Sequence, residues 1–294
     1  MLMKLVVITT VMLSSIITGC ISSTSQRGML NGFEVHEWGV FCQRYKSNIV
    51  NVVTKPLEEP VIVKKPVIYF HYRKDISDVF VEVNFDGDIL VTIPDAASTD
   101  DGISWTVDIV NKSVVAPNGT VYKYLFYECQ IKYSKGVIAY ILDDGINVKF
   151  YIMNVADYPI SDIFFIYGYP TGTPDFMFRG ITYVKIERLE SYSESVITVP
   201  LNNNSLYGTS EILYSLIENG LTEQEAEDLI DYWEKIWFYP TNLGSYAQIL
   251  YTIPEDIYNE LLPISIYPQP EIIKRVGLFF ITDVPINSIH IIKH

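Results

Sequence analysis

A mainly β fold, with an antiparallel β-sandwich-like body and a carboxyl-terminal helical hairpin and mixed α/β segment packed on it, is predicted by three features. Apolar residues alternate with a period of two from Phe33 onward, Gly-containing turn dipeptides separate the alternating runs, and the spacing changes to helical after residue 200. Twenty-two Tyr and fourteen Phe reinforce the strand character. The 294 residues, 49% of them hydrophobic, suffice for one large core or two modest ones.

The first segment is an address rather than a fold element. Lys4 precedes the apolar run Leu5 to Ile17, which is too short for a membrane span of roughly 20 apolar residues. Ile17-Thr18-Gly19-Cys20 closes the run and reads as a lipobox. Residues 1–19 are therefore expected to be a lipoprotein signal peptide, cleaved ahead of Cys20, with the Cys20 thiol acylated. Two or three acyl chains, at about 0.8 kcal/mol per buried methylene, make a durable anchor. An ordinary secretory signal is the alternative. Residues 20–32 are small and polar, as a tether would be, and about eleven such residues reach under roughly 40 Å. The body is thus expected to be extracytoplasmic, lipid-anchored to a membrane of the cell envelope.

Residues 33–200 are expected to form the β-sandwich-like domain. Strands are predicted at Phe33 to Tyr45 and Pro66 to Tyr72, followed by Val79 to Phe85 and Ile89 to Ile93 as a hairpin around Asp86-Gly87. Ile103 to Val110 follows, then Asn118-Gly119 ahead of one long strand from Val121 to Ile131. Val137 to Leu142 and Ile146 to Met153 flank Asp144-Gly145 as a further hairpin. Asp162 to Tyr169, Phe178 to Glu187 and Ser195 to Val199 complete the set, and no helical crossovers interrupt it.

Residues 201–294 are expected to pack on that body as a helical hairpin plus strands. Ser210 is placed to cap a first helix bearing Ile212, Leu213, Leu216 and Ile217, which Gly220 would end in the left-handed region. Thr222 and Glu225 form a capping box for a second helix, Leu221 and Ala226 its hydrophobic staple, and Leu229, Ile230, Trp233, Ile236 and Trp237 its apolar stripe, ending at Pro240. A strand around Tyr246 to Ile253, a short helix from Pro254 to Leu262, and strands at Ile264 to Tyr267 and Ile272 to Ile281 follow.

A formal charge of −14 excludes nucleic acid and anionic headgroups as partners. The membrane is met through the lipid on Cys20, and an envelope protein or a glycan remains as a partner class. Cys42 and Cys129 are left once Cys20 is acylated, so one disulfide is open to the chain, worth about 4 to 5 kcal/mol for a loop of roughly 88 residues. Two buried free thiols are the alternative.

Phe33-Glu34-Val35-His36-Glu37-Trp38-Gly39-Val40-Phe41 and Lys65-Pro66-Val67-Ile68-Tyr69-Phe70 resemble signatures of an uncharacterised family of exported bacterial and archaeal proteins. A further similar patch runs from Gly220-Leu221-Thr222 through Trp233, Trp237 and Leu250-Tyr251 to Arg275-Val276. The resemblance implies an envelope or secreted location and a shared fold, with no activity, cofactor or catalytic residue to carry over. His71 stands where Tyr is usual in that family, and the stretch after Arg275 lacks the second Arg that relatives often carry.

His36, Glu37 and His71 are the candidate chemical residues, since two imidazoles and a carboxylate can bind a metal or share a proton. On a flat strand His36 and Glu37 point to opposite faces, so they join only if Gly39 or a neighbour marks a bulge. The alternative is structural, with Glu37 paired to an Arg from another strand. No Gly-x-Ser-x-Gly elbow and no helical zinc-protease motif occurs. Asp95, Asp100, Asp101 and Gly102 read as turn chemistry in preference to a calcium loop. Tyr122, Tyr124 and Phe126, taken as one strand face, are either a platform for a sugar or peptide or half of a core. No cofactor or metal is assigned. The leading expectation is a binding or scaffolding protein, and the rival is an anchored hydrolase or metal-dependent enzyme using His36, Glu37 and His71. Assembly with another envelope protein predicts an exposed apolar patch above about 600 Å².

Overall fold

The computed structural model describes residues 29–44, 60–133, 135–170, 179–201, 208–238 and 247–288. The lipobox, Cys20 and most of the tether lie outside these residues. In chain order the elements are β1 (Met29–Arg44), β2 (Val61–His71), β3 (Ile76–Asn84), β4 (Gly87–Ile93), β5 (Ala97–Ser98), β6 (Gly102–Val110), β7 (Ser113–Val115), β8 (Val121–Tyr122), β9 (Leu125–Ile131), β10 (Val137–Asp143), β11 (Asn147–Asn154), β12 (Ile160–Pro170), β13 (Arg179–Leu189), β14 (Glu194–Pro200), α1 (Gly208–Glu218), α2 (Glu223–Phe238), β15 (Ala247–Ile253), α3 (Glu255–Leu261), β16 (Ile264–Tyr267), β17 (Gln269–Thr282) and β18 (Ile286–Ser288).

Three layers result, and the predicted mainly antiparallel, sandwich-like build is what the chain adopts. The central layer is an eight-stranded sheet in the order β13-β12-β15-β17-β1-β2-β9-β4. A four-stranded sheet, β14-β11-β10-β18, and a six-stranded sheet built on β16-β3-β6-β7-β8 lie against its inner face. Helices α1 and α2 cover the other face. Because side chains alternate along each strand, the wide sheet serves both cores at once. Phe33, Val35 and Phe41 of β1 join the inner core, whereas Trp38 and Val40 join the helix-side core with Leu229, Trp233 and Trp237. The stacked indoles of Trp233 and Trp237 form the seam against Phe280.

Two expectations of the sequence need correction. Asp86-Gly87 does not close a hairpin: β3 pairs with β6 in the six-stranded sheet and β4 with β9 in the eight-stranded one, so the chain changes sheets there. The strands after residue 246 do not form a separate packed unit. β15 and β17 lie in the middle of the widest sheet, and β17 runs parallel to β1.

Local chemistry explains the hairpins and helix ends that formed as expected. Asp144-Gly145 joins β10 to β11 with Gly145 at φ +84°, and Asn118-Gly119 joins β7 to β8 with Gly119 at φ +80°. Helix α1 begins at Gly208, which puts Ser210 inside it rather than at its cap. It ends in a Schellman motif, with Leu221 N–H donating to Leu216 C=O and Gly220 N–H to Ile217 C=O. Helix α2 starts with the Thr222 and Glu225 capping box: the Thr222 amide donates to Glu225 Oε2 at 2.8 Å and the Glu225 amide to Thr222 Oγ1 at 3.3 Å.

Candidate functional site

Strand β1 separates the candidate residues. No bulge re-aims them, because the irregularity beside Gly39 falls on β2, where Lys65 takes φ +50°. His36 faces the helices and Glu37 the inner core. The opposite faces expected of a flat strand are what β1 shows, and the convergence of His36, Glu37 and His71 that the enzyme alternative requires fails at Glu37.

Glu37 and Arg275 form an ion pair with both side chains fully buried, Nε to Oε2 at 2.7 Å. β1 and β17 are in register at these residues, so the pair spans one rung of the parallel ladder. Tyr127 and Tyr258 donate their hydroxyls to Glu37 Oε1 at 2.7 and 3.1 Å. The guanidinium also donates to Leu262 C=O and Asn259 Oδ1 and lies 4.1 Å from the Tyr258 ring centroid. Burial opposes the Arg275 charge, but Glu37 and the two tyrosines override it and raise its pKa. Burial, followed by the Glu37 charge, pushes both tyrosines well above the usual phenol range. Gly39 admits this arrangement: a Cβ there would lie 2.6 Å from Tyr258 Oη.

On the helix side a different carboxylate meets the histidines. Glu225 Oε2 lies 2.9 Å from His36 Nδ1, and Glu225 Oε1 lies 2.7 Å from His71 Nε2. His36 and His71 sit diagonally on β1 and β2, opposite Tyr69 and Glu34, with ring centroids 4.5 Å apart. Burial would raise the Glu225 pKa, but the hydrogen bonds from His36 and His71 and from the Thr222 amide hold it well below the usual carboxylate range. An ionised carboxylate only accepts, so His36 Nδ1 and His71 Nε2 carry the donated protons. One turn on, Asp228 accepts from Tyr69 Oη at 2.8 Å and pairs with Lys123, which fastens the start of α2 to the sheet. Glu34 Oε2 stands 3.9 Å from His36 Nε2. Side-chain exposure rises from Glu225 (2%) through His36 (10%) to His71 (27%) and Glu34 (41%), so the cluster opens to solvent at one end.

The sequence assigned Glu225 only a capping role. Its placement four residues before Leu229 and eight before Trp233, on the apolar stripe itself, was the available signal: a carboxylate on a buried face requires partners.

The remaining candidates are dispersed. Tyr122 packs against the inner core from β8, Lys123 and Tyr124 interrupt the strand, and Tyr124 and Phe126 belong to the helix-side core. The three rings therefore do not make one open platform. Cys42 and Cys129 are free thiols on opposite faces of the wide sheet, Cys42 on the helix side and Cys129 in the inner core, so they do not bridge. Burial pushes the Cys42 thiol up to about 12. Asp95, Asp100 and Asp101 do not assemble into a ligand cluster among the described residues, whereas His36, His71 and Glu225 do.

No protein-family model matches the chain, and no curated protein matches it. Among solved structures the chain is similar to the yeast delta-COP-I mu-homology domain, with TM-score 0.40 and 9% identity over 87% of this chain and 98% of that one. It is similar also to the same yeast domain complexed with a Dsl1 WxWxV peptide, with TM-score 0.38 and 8% identity over the same shares.

Proposed function

We propose that this protein is a lipid-anchored component of the cell envelope that acts by binding, with one edge of its widest sheet as the docking surface. The observation that carries the reading is β4. It has β9 on one side and, among the described residues, no strand on the other, and it exposes Ile89, Leu90, Val91 and Ile93. The free N–H and C=O groups of an edge template a further strand, and sheet proteins usually blunt them with charge or proline. β4 carries one charge, Asp88, and an irregularity between Ile89 and Val91, and four exposed aliphatic side chains flank the rest of its edge. The partner that fits is an extended apolar segment of an envelope protein, added beside β4. The lipobox ending at Cys20 supports the mooring, and the formal charge of −14 supports a partner other than nucleic acid. In the enzyme alternative Glu37 drops out, engaged by Arg275, and Glu225 stands beside the two histidines in its place.

Mass spectrometry of the mature protein is expected to find Cys20 acylated; an unmodified thiol or a retained leader defeats the mooring. A photocrosslinker at Leu90 in native membranes is expected to give one adduct of fixed mass that disappears in Val91→Lys. That exposed substitution should move stability by no more than about 0.5 kcal/mol. An unchanged adduct in Val91→Lys removes the edge from consideration.

A further inference from the structure

The His36, His71 and Glu225 cluster holds more than a helix cap requires. A capping-box glutamate satisfies one amide and ordinarily leaves its other oxygen in water. Glu225 is nearly sealed, with one imidazole on each oxygen, and both imidazoles come from strands more than 150 residues earlier in the chain. The three donor groups, His36 Nδ1, His71 Nε2 and the Glu225 carboxylate, lie within 4.8 Å of one another.

The geometry points to a binding site for one divalent first-row transition ion of the zinc class, ligated by His36, His71 and Glu225. Imidazole with carboxylate suits such ions, whereas calcium and magnesium take sets of oxygen ligands. Three protein ligands leave a fourth position, and the partly exposed side of His71 is where a water or a ligand would enter it. Protons balance without an added acid or base. As each neutral imidazole turns a lone pair to the ion, its proton moves to the other ring nitrogen. For His36 that nitrogen is Nε2, and the Glu34 carboxylate 3.9 Å away is placed to receive its hydrogen bond, as carboxylates behind metal-bound histidines do. The Thr222 amide keeps its hold on Glu225 Oε2 and fixes the carboxylate's direction. The site is independent of the β4 edge, so either can fail alone.

The test uses untagged, chelator-stripped mature protein titrated with Zn²⁺ by calorimetry and with Co²⁺ by visible absorption. One ion per chain is expected, with cobalt bands of a four-coordinate nitrogen and oxygen site. Binding should vanish in His71→Ala and in Glu225→Gln, the latter retaining its cap because glutamine also closes a capping box. Glu34→Gln should weaken binding by about tenfold. The chain's other two histidines are His290 and His294, and a double His290→Ala, His294→Ala variant should bind as the parent does. Absence of stoichiometric zinc, unchanged binding in folded His71→Ala and Glu225→Gln, or loss only in the carboxyl-terminal double variant would each overturn the site.

Discussion

Glu37 and Glu225 are two buried carboxylates on opposite faces of one sheet, the first carried by β1 itself and the second met by its β1 neighbour His36. Glu37 is met by a guanidinium that never titrates in proteins and by two buried hydroxyls. Glu225 is met by two imidazoles, rings that can carry a proton on either nitrogen, and its cluster opens to solvent through His71. The first arrangement is permanent and locks strands together. The second can exchange what it holds. Burial alone therefore does not separate a structural charge from a usable one; the chemistry of the counter-charge does.

The comparison breaks most visibly at Glu37→Gln, which leaves the Arg275 guanidinium buried without its counter-charge. A loss of about 3 to 5 kcal/mol in denaturant unfolding is expected, and a loss under about 1 kcal/mol would show that Arg275 finds compensation elsewhere. Gly39→Ala tests the same pocket sterically. Its Cβ would crowd Tyr258 Oη, so a cost of about 1 to 3 kcal/mol is expected. Tyr258→Phe in the same background should recover part of that loss by removing the clashing oxygen.

The smallest effect sharpens the other side. The Glu225 carboxyl is held below its ordinary 4.5, so its contribution to stability is present above that pH and fades as pH falls through the lowered value. Unfolding measured from pH 7 downward should show a steeper acid decline for the parent than for Glu225→Gln. Coincident acid limbs would mean that the two histidines stabilise the neutral side chain equally well.

Much of this was legible where the signal is local. Thr222 and Glu225 form the capping box that their spacing predicts, Gly220 ends α1 in the left-handed region, and Asp144-Gly145 and Asn118-Gly119 make hairpins. Asp86-Gly87 carries the same signature and is no hairpin, because a turn dipeptide bends the chain without choosing the sheet each arm joins. The break at Lys123 and Tyr124 escaped the alternation rule for the same reason, since apolar period says nothing of which core a residue serves. Strand geometry correctly put His36 and Glu37 on opposite faces, and an Arg partner for Glu37 was foreseen in kind. That it is Arg275, and that Glu225 replaces Glu37 beside the histidines, depends on tertiary contacts spanning 238 and 189 residues.

The parallel pairing of β1 with β17 also governs when this protein can come into being. The widest sheet lacks its middle until residue 282 has been synthesised, so an early-emerging β1 must wait with one edge unsatisfied while most of the polypeptide follows it. Such high contact order predicts slow acquisition of structure and a long interval of vulnerability to aggregation.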